Sequence, residues 1–325
     1  MVVLGVSRSG TTLLKEMLDR HSELVIPSES YFIPQLWDRH GSRPDREAIL
    51  ADLGRISRVR EWGVAPDDLR RRMPRDPSFA EAIDAVYRTY AEARGKRRFG
   101  DKTPAYMQSL DLLERVFPDA RYVHIVRDGR DAGLSFVSMR RRARFNWSRP
   151  RRLGDFACQW DREVRGARRF GATTAHGRYL EVRYEDLVAE PERFLREVCT
   201  FLGLGFEPEM LEYHRCVDAS TLEDHPRLAQ PPTVHVRDWR EQMAPKEVER
   251  FEAIAGALLD ELGYERAYPG PTGGVRARAL LERAAFAARL TSWRAALAVV
   301  RRSPAWRLRQ VYIRRSQGTG ARAAG

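Results

Sequence analysis

Val2-Val3-Leu4-Gly5-Val6-Ser7-Arg8-Ser9-Gly10-Thr11-Thr12-Leu13-Leu14 is the stretch whose reading decides the fold. An apolar strand runs into Gly5, turns through Ser7, Arg8 and Ser9, and enters a helix at Gly10-Thr11-Thr12 that continues through Leu13 to Arg20. The spacing is G-x-x-x-x-G followed by two hydroxyl residues, so successive backbone N–H groups and the helix N-terminus converge on an anion. A glycine-rich turn of purely structural purpose is the alternative, but the paired glycines, the flanking hydroxyls and the apolar strand together favour a phosphate cradle. Where a nucleotide triphosphatase has lysine to reach the β- and γ-phosphates, this chain has Thr11, which argues against ATP or GTP hydrolysis. The loop is expected to hold a different anion.

Outward from this loop, polar residues recur at strand ends. Leu24-Val25-Ile26-Pro27 reads as a short buried strand ended by the proline, and Glu29 follows it. Arg98-Phe99-Gly100 suggests a third strand, after which Asp101-Lys102-Thr103-Pro104 places a lysine and a hydroxyl at another strand end, with Pro104 able to open a helix. Tyr122-Val123-His124-Ile125-Val126 is the clearest strand and leads through Arg127-Asp128-Gly129-Arg130-Asp131 into a helix carrying Ser135. Tyr179 to Val182 is the last core strand, followed by Arg183-Tyr184-Glu185-Asp186-Leu187. In an open parallel sheet the residues just past the strand C-termini face the ligand crevice, so the loop, Glu29, Lys102 and Arg127 fall on one rim. Arg127 at a strand tip and Ser135 two turns on can grip one set of phosphate oxygens by guanidinium fork and hydroxyl. A surface glutamate and an exposed turn lysine are the plain alternatives for Glu29 and Lys102. A magnesium-holding Asp128 is the alternative at the strand tip, and it suits a kinase poorly while the loop lysine is absent.

Between these strands, residues 30 to 95 carry Tyr31, Phe32, Trp37, Trp62, Phe79 and Tyr87 in helical stretches broken at Pro44, Pro66 and Pro77, an insertion able to wall an acceptor pocket. The arginines from Arg140 to Arg152 read as a solvated face, with a contact to acidic substrate as the other option. Helices are expected from 190 to 202, ending at Gly203, and from 245 to 262, ending at Gly263. Residues 217 to 244 read as one long loop of the kind that closes over ligands.

The 43% hydrophobic content of the 325 residues is enough for a sizeable core. Cys158, Cys199 and Cys216 lie far apart with no C-x-x-C pair and no histidine at ligand spacing, so neither a disulfide framework nor a zinc site is indicated and a reducing compartment fits. No apolar stretch reaches the ~18 to 20 residues of a membrane span, and a chain opening inside its first strand leaves no room for a signal peptide. Cytoplasmic location is expected. The net charge of +12 suggests nucleic acid until it is located: residues 271–325 hold twelve arginines and one acid, Glu282, a net +11 that leaves +1 for residues 1–270. Nucleic-acid binding as the main activity is therefore disfavoured.

SRSGTTLL, PSES, DKTP, IVRDGRDAGLSF, YEDLVAEPE and DWREQM occur in that order over residues 2 to about 265. Together they resemble the sulfotransferases that use 3′-phosphoadenosine 5′-phosphosulfate (PAPS), with the bacterial members and the protein-tyrosine sulfotransferases nearest in motif. The resemblance implies an α/β, P-loop-containing three-layer fold with a central parallel β-sheet flanked by helices, and transfer without a metal. It also implies that Arg8, Ser9, Gly10, Thr11 and Thr12 hold the 5′-phosphosulfate, Arg127 and Ser135 the 3′-phosphate, and that Tyr184 sits near the adenine. Arg237 is placed in a C-terminal cofactor loop. Cytosolic hormone and phenol sulfotransferases use histidine as the base, whereas this chain offers Glu29, as the protein-tyrosine and several bacterial relatives do. The implied acceptor is a hydroxyl compound, whether small molecule, glycan, lipid or peptide.

In-line transfer of SO₃ between two oxygens requires both partners to be positioned and charge on the leaving phosphate to be stabilised. Lys102 and the loop hydroxyls suit the second task, and Glu29 is placed to take the acceptor's proton, a contribution of about 10²- to 10⁴-fold. A P-loop small-molecule kinase is the alternative enzyme, and a membrane- or nucleic-acid-associated binding protein the alternative outside enzymes. The division expected is one domain over 1–268 and, over 269–325, a linker with an arginine-rich helical tail. In that tail Phe286, Leu290, Trp293, Leu297 and Val300 form one helical stripe edged by Arg283, Arg289, Arg294 and Arg301. Such a stripe suits a peripheral contact with anionic lipid at the inner membrane surface, or packing on the domain or on a second subunit of a homo-oligomer.

Overall fold

A computed structural model of the chain describes residues 1–140, 150, 152–233 and 238–302. Its strands are β1 (Val2–Leu4), β2 (Leu24–Val25), β3 (Arg98–Phe99), β4 (Asp101–Lys102), β5 (Tyr122–Val126) and β6 (Tyr179–Arg183). They form a parallel sheet of order β4-β1-β5-β6 and a parallel pair β2-β3. Only Gly100 separates β3 from β4. The Gly100 N–H donates to the Val25 carbonyl at 2.9 Å and the Asp101 N–H to the Met1 carbonyl at 3.1 Å, so residues 98–102 change partner from β2 to β1 at the glycine. Lys102 consequently ends a strand, the position the sequence reading gave it, and is not an exposed turn lysine.

The strands β1 and β5 are buried along their whole length, as parallel strands covered on both faces must be. Their pleat divides the core: Val2, Leu4, Tyr122 and Val126 join one apolar cluster, and Val3, Val123 and Ile125 the other. The first cluster takes residues from helices Phe79–Glu92, Leu153–Thr173 and Pro245–Glu261, and the second from helices Thr11–Asp19 and Pro191–Leu202. This is the three-layer α/β arrangement expected.

Local chemistry sets several boundaries. The Ser78 side chain accepts from the Glu81 N–H at 3.2 Å while the Glu81 carboxylate accepts from the Ser78 N–H at 2.7 Å, a capping box that starts helix Phe79–Glu92. Helix Pro191–Leu202 begins with proline in its first turn and stops at Gly203, and helix Pro245–Glu261 ends just before Gly263, close to the expected limits. Pro66 opens helix Pro66–Arg72 where the sequence reading took it as a break. Residues 217–244, expected to be one loop, include the short helices Ala219–Asp224, Pro226–Ala229 and Trp239–Gln242. Phe32, Trp62, Phe79 and Tyr87 in the insertion are core residues, at most 3% exposed, so their aromatic bulk fills the interior.

The helix Gly273–Arg302 lies against helices Pro245–Glu261 and Leu153–Thr173. Ala279 is buried, Phe286 packs on the core, and Arg250 Nε donates to Glu282 at 2.8 Å. Arg283 donates to the Ile254 carbonyl and Arg289 to Asp155. The first residue of the expected stripe therefore faces the domain. Leu280 and Leu281, on another side of the helix, are 66% and 71% exposed. No described helix is long and apolar enough to cross a membrane.

Candidate functional site

Because β1, β4, β5 and β6 run parallel, the phosphate loop, Lys102, Arg127 and Tyr184 emerge on one edge of the sheet. The loop is set by two close approaches. A Cβ on Gly5 would lie 2.6 Å from Thr11 Cγ2 and 2.9 Å from the Ile125 carbonyl oxygen. Gly10, the N-cap of helix Thr11–Asp19, has φ 91°, and a Cβ there would lie 2.3 Å from Tyr184 Cδ2. Only glycine combines that left-handed backbone with an aromatic ring against its Cα. Arg8 also has a positive φ, 76°, which helps turn the loop, and the Ser9 N–H donates to the Val6 carbonyl at 3.1 Å. Ser9 and Thr11 are buried.

Arg8, Arg127, Ser135 and Tyr184 form one cluster. Arg8 Nε donates to Ser135 Oγ at 3.1 Å, Arg127 Nη1 reaches the Arg8 carbonyl at 3.4 Å, and the Arg127 guanidinium lies 4.3 Å from the Tyr184 ring centroid. Arg127 is 7% exposed, its carbonyl accepts from Trp160 Nε1 at 3.2 Å, and its Nε has no hydrogen-bond partner among the described residues. A buried, unpaired guanidinium N–H is costly unless an anion meets it. The sequence reading missed His225, whose Nδ1 lies 3.4 Å from Arg8 Nη1. A lone histidine in an irregular segment carries no spacing signal. Arg237 lies outside the described residues.

Lys102 and Glu29 form the second cluster. Lys102 Nζ donates to Glu29 Oε1 at 2.6 Å and to Thr12 Oγ1 at 3.3 Å, joining the strand end, the β2 loop and the start of the phosphate-loop helix. The Lys102 side chain is 5% exposed and that of Glu29 26%, so the carboxylate is the more open of the two. Beneath the pair, Ser30, Tyr87, Asp101, Thr103 and Tyr106 make a buried polar network that motif spacing did not reveal.

Asp128 is not available as a metal ligand in the sense considered above, since Arg130 Nε and Nη2 bind its carboxylate at 3.0 and 2.7 Å. Arg130 also donates to Glu252 at 2.5 Å and to the Glu265 carbonyl at 2.7 Å, and it stacks 3.7 Å from the Trp239 ring centroid. It thereby ties the C-terminal helices to the β5 tip. Asp131 accepts from the Trp239 N–H at 2.8 Å, and burial beside the Asp128 charge pushes its carboxyl up to about 7. His124 is the middle residue of β5, fully buried, with Nδ1 2.6 Å from Tyr179 OH, and so lies inside the sheet short of the rim. Among the described residues no group of three or more His, Cys, Asp or Glu side chains is placed to hold a metal ion.

The sequence model of the Sulfotransferase family matches residues 1–208, which include both clusters. The chain belongs to the sulfotransferase family. It is 28% identical over 275 residues to protein-tyrosine sulfotransferase 1 of Danio rerio, covering 80% of this chain and 71% of the relative. It is 29% identical over 291 residues to nodulation protein NoeE of Sinorhizobium fredii, covering 81% of this chain and 65% of that one. Among solved structures, the sulfotransferase domain from the curacin biosynthetic pathway matches with a TM-score of 0.56 and 22% identity, over 82% of this chain and 98% of that domain. In this sulfotransferase the absence of a loop lysine is accordingly no defect, and the kinase reading gives way.

Proposed function

We propose that the protein transfers a sulfuryl group from PAPS to a hydroxyl acceptor. The observation that carries this reading is the buried Arg127 guanidinium, with an unpaired Nε, beside Ser135 and Arg8 and against the Tyr184 ring. A cationic, partly unsatisfied side-chain cluster against an aromatic ring, next to the glycine-spaced loop, suits a nucleotide bearing a phosphate apart from its 5′ chain. The donor supplies the activated sulfuryl group, and the chain's residues hold and polarise its two ends. Arg127 and Ser135 bind the 3′-phosphate, and the loop from Arg8 to Thr12 binds the 5′-phosphosulfate through backbone N–H groups and hydroxyls.

Lys102 reaches both Thr12 and Glu29, so one ammonium serves the phosphosulfate end and the base. It stabilises charge that builds on the leaving phosphate, the form of electrostatic help that counts most in group transfer. Glu29 takes the proton from the acceptor hydroxyl as the oxygen attacks sulfur. The name of one relative, protein-tyrosine sulfotransferase 1, agrees with a hydroxyl acceptor and leaves the class of this chain's acceptor open.

Calorimetry with adenosine 3′,5′-bisphosphate and ADP tests the reading. The bisphosphate should bind much more tightly, and Arg127→Ala should remove about 2–3 kcal/mol of that preference, the scale of a charge-assisted pair. Equal affinity for the two nucleotides in the unaltered protein would overturn the assignment.

A further inference from the structure

We propose that Ser30, Asp101 and Tyr87 form a positioning staple that holds the Glu29 carboxylate against Lys102. The inference rests on the reading of Glu29 as the base. Glu29 lies in an irregular loop, four residues beyond the end of β2, where no strand pairing fixes it. Lys102 ends β4. The residue after Glu29 is bonded to both chain neighbours of Lys102: the Ser30 N–H donates to Thr103 Oγ1 at 3.0 Å, and Ser30 Oγ donates to Asp101 Oδ2 at 3.0 Å.

Two tyrosines complete the network. Tyr87 OH, from helix Phe79–Glu92, donates to the same Asp101 oxygen at 2.5 Å. Tyr106 OH lies 2.6 Å from Ser30 Oγ and accepts from the Ile33 N–H at 3.1 Å. Since the Ser30 proton is committed to Asp101, Tyr106 donates to Ser30 and the bonds run in one direction, from Tyr106 through Ser30 to Asp101. The loop between the anchored Ser30 and Ile33 contains Tyr31 at φ 56°, a left-handed conformation that costs a non-glycine residue energy and persists when its surroundings hold it.

Ser30, Asp101, Thr103, Tyr87 and Tyr106 are each no more than 2% exposed. Burial raises the Asp101 carboxyl's pKa, opposed by the hydrogen bonds it accepts, so this is an expensive group to keep inside. Apolar residues of similar shape would fill the same space at lower desolvation cost. What the polar network adds is register: it locks the residues on either side of Lys102 to the residue beside Glu29, and so fixes the 2.6 Å contact between them. A base displaced by about an ångström can lose about 100-fold in rate, which makes such a lock consequential.

The test compares Ser30→Ala, Tyr87→Phe and Ser30→Thr with the unaltered protein. Turnover is read as radiolabelled sulfate moved from PAPS to whichever of a phenol, a tyrosine peptide and a monosaccharide the unaltered protein uses best. Loop order is read by amide hydrogen exchange. Ser30→Ala and Tyr87→Phe should lower kcat about 10- to 100-fold while donor KM and bisphosphate affinity stay unchanged, and Ser30→Thr should recover most of the loss. The Ser30 and Ile33 amides should exchange at least about tenfold faster in both, with the sheet amides unaffected. In a Glu29→Gln background the same substitutions should cause little further loss, because they act through that carboxylate. If Glu29→Gln keeps its rate, the base assignment fails and the staple with it. If Glu29→Gln loses its rate but Ser30→Ala and Tyr87→Phe retain theirs, or lose it only with global unfolding, the staple alone is overturned.

Discussion

Replacing Gly10 with alanine probes the loop from which the whole site is built. Two costs can be worked from the geometry. At φ 91° an L-residue meets a penalty of about 1–2 kcal/mol. The new methyl would also stand 2.3 and 2.7 Å from Tyr184 Cδ2 and Cε2, and pushing an aromatic ring aside in a packed region costs about 1–3 kcal/mol. Together they predict a loss of about 2–5 kcal/mol, read as a lower urea midpoint with an unchanged slope. The Tyr184 ring also stacks on the Arg127 guanidinium, so its displacement should weaken bisphosphate binding about tenfold, or about 1.4 kcal/mol. A double-mutant cycle with Tyr184→Ala separates the two costs: the steric part should vanish when the ring is absent, while the backbone part remains. A Gly10→Ala protein within about 0.5 kcal/mol of the parent, with full bisphosphate affinity, would refute the reasoning.

Glu29→Gln should leave bisphosphate affinity nearly unchanged while lowering turnover at least about 100-fold, and single-turnover kinetics that retain most of the rate would move the base elsewhere. Glu163 is 4% exposed, accepts from Gln108 and Gln159 at 3.1 and 2.9 Å, and is pushed by burial up to about 7. Its folded form holds the proton more tightly than the unfolded chain. Stability from this group is therefore full below the unfolded carboxylate range and falls by about 1.4 kcal/mol per pH unit towards pH 7. Glu163→Gln should remove that slope and raise the melting temperature at pH 8 but not at pH 4, and equal effects at both would contradict the assignment. Ending the chain after Gly270 strips Ala279 and Phe286 from the domain surface and breaks the Glu282–Arg250 pair, so calorimetry should show a lower melting temperature; an unchanged one would mean the helix contributes nothing to the domain.

The sequence by itself determined the glycine-spaced turn from β1 into helix Thr11–Asp19, the strands that flank it and the order of the motifs, because each depends on short-range regularities. A five-residue spacing of glycines, an uninterrupted run such as Tyr122–Val126, and a proline or glycine at a helix end act through backbone sterics and neighbouring hydrogen bonds, which a linear reading sees. Pairing between Glu29 and Lys102, 73 residues apart, was legible only as a shared rim; the 2.6 Å contact needed the folded sheet. The same holds for Arg8 with Ser135 and His225, and for the buried network at Asp101, whose members come from separate elements and share no spacing rule. The switch of residues 98–102 from one strand partner to another also escaped a local reading, since it depends on where β2 ends and β1 begins in space. In the tail, periodicity identified a stripe beginning at Phe286, but only the tertiary structure decided what Phe286 faces. Helical spacing fixes which side chains share a side, while the surface that covers that side is set by the packing of distant helices.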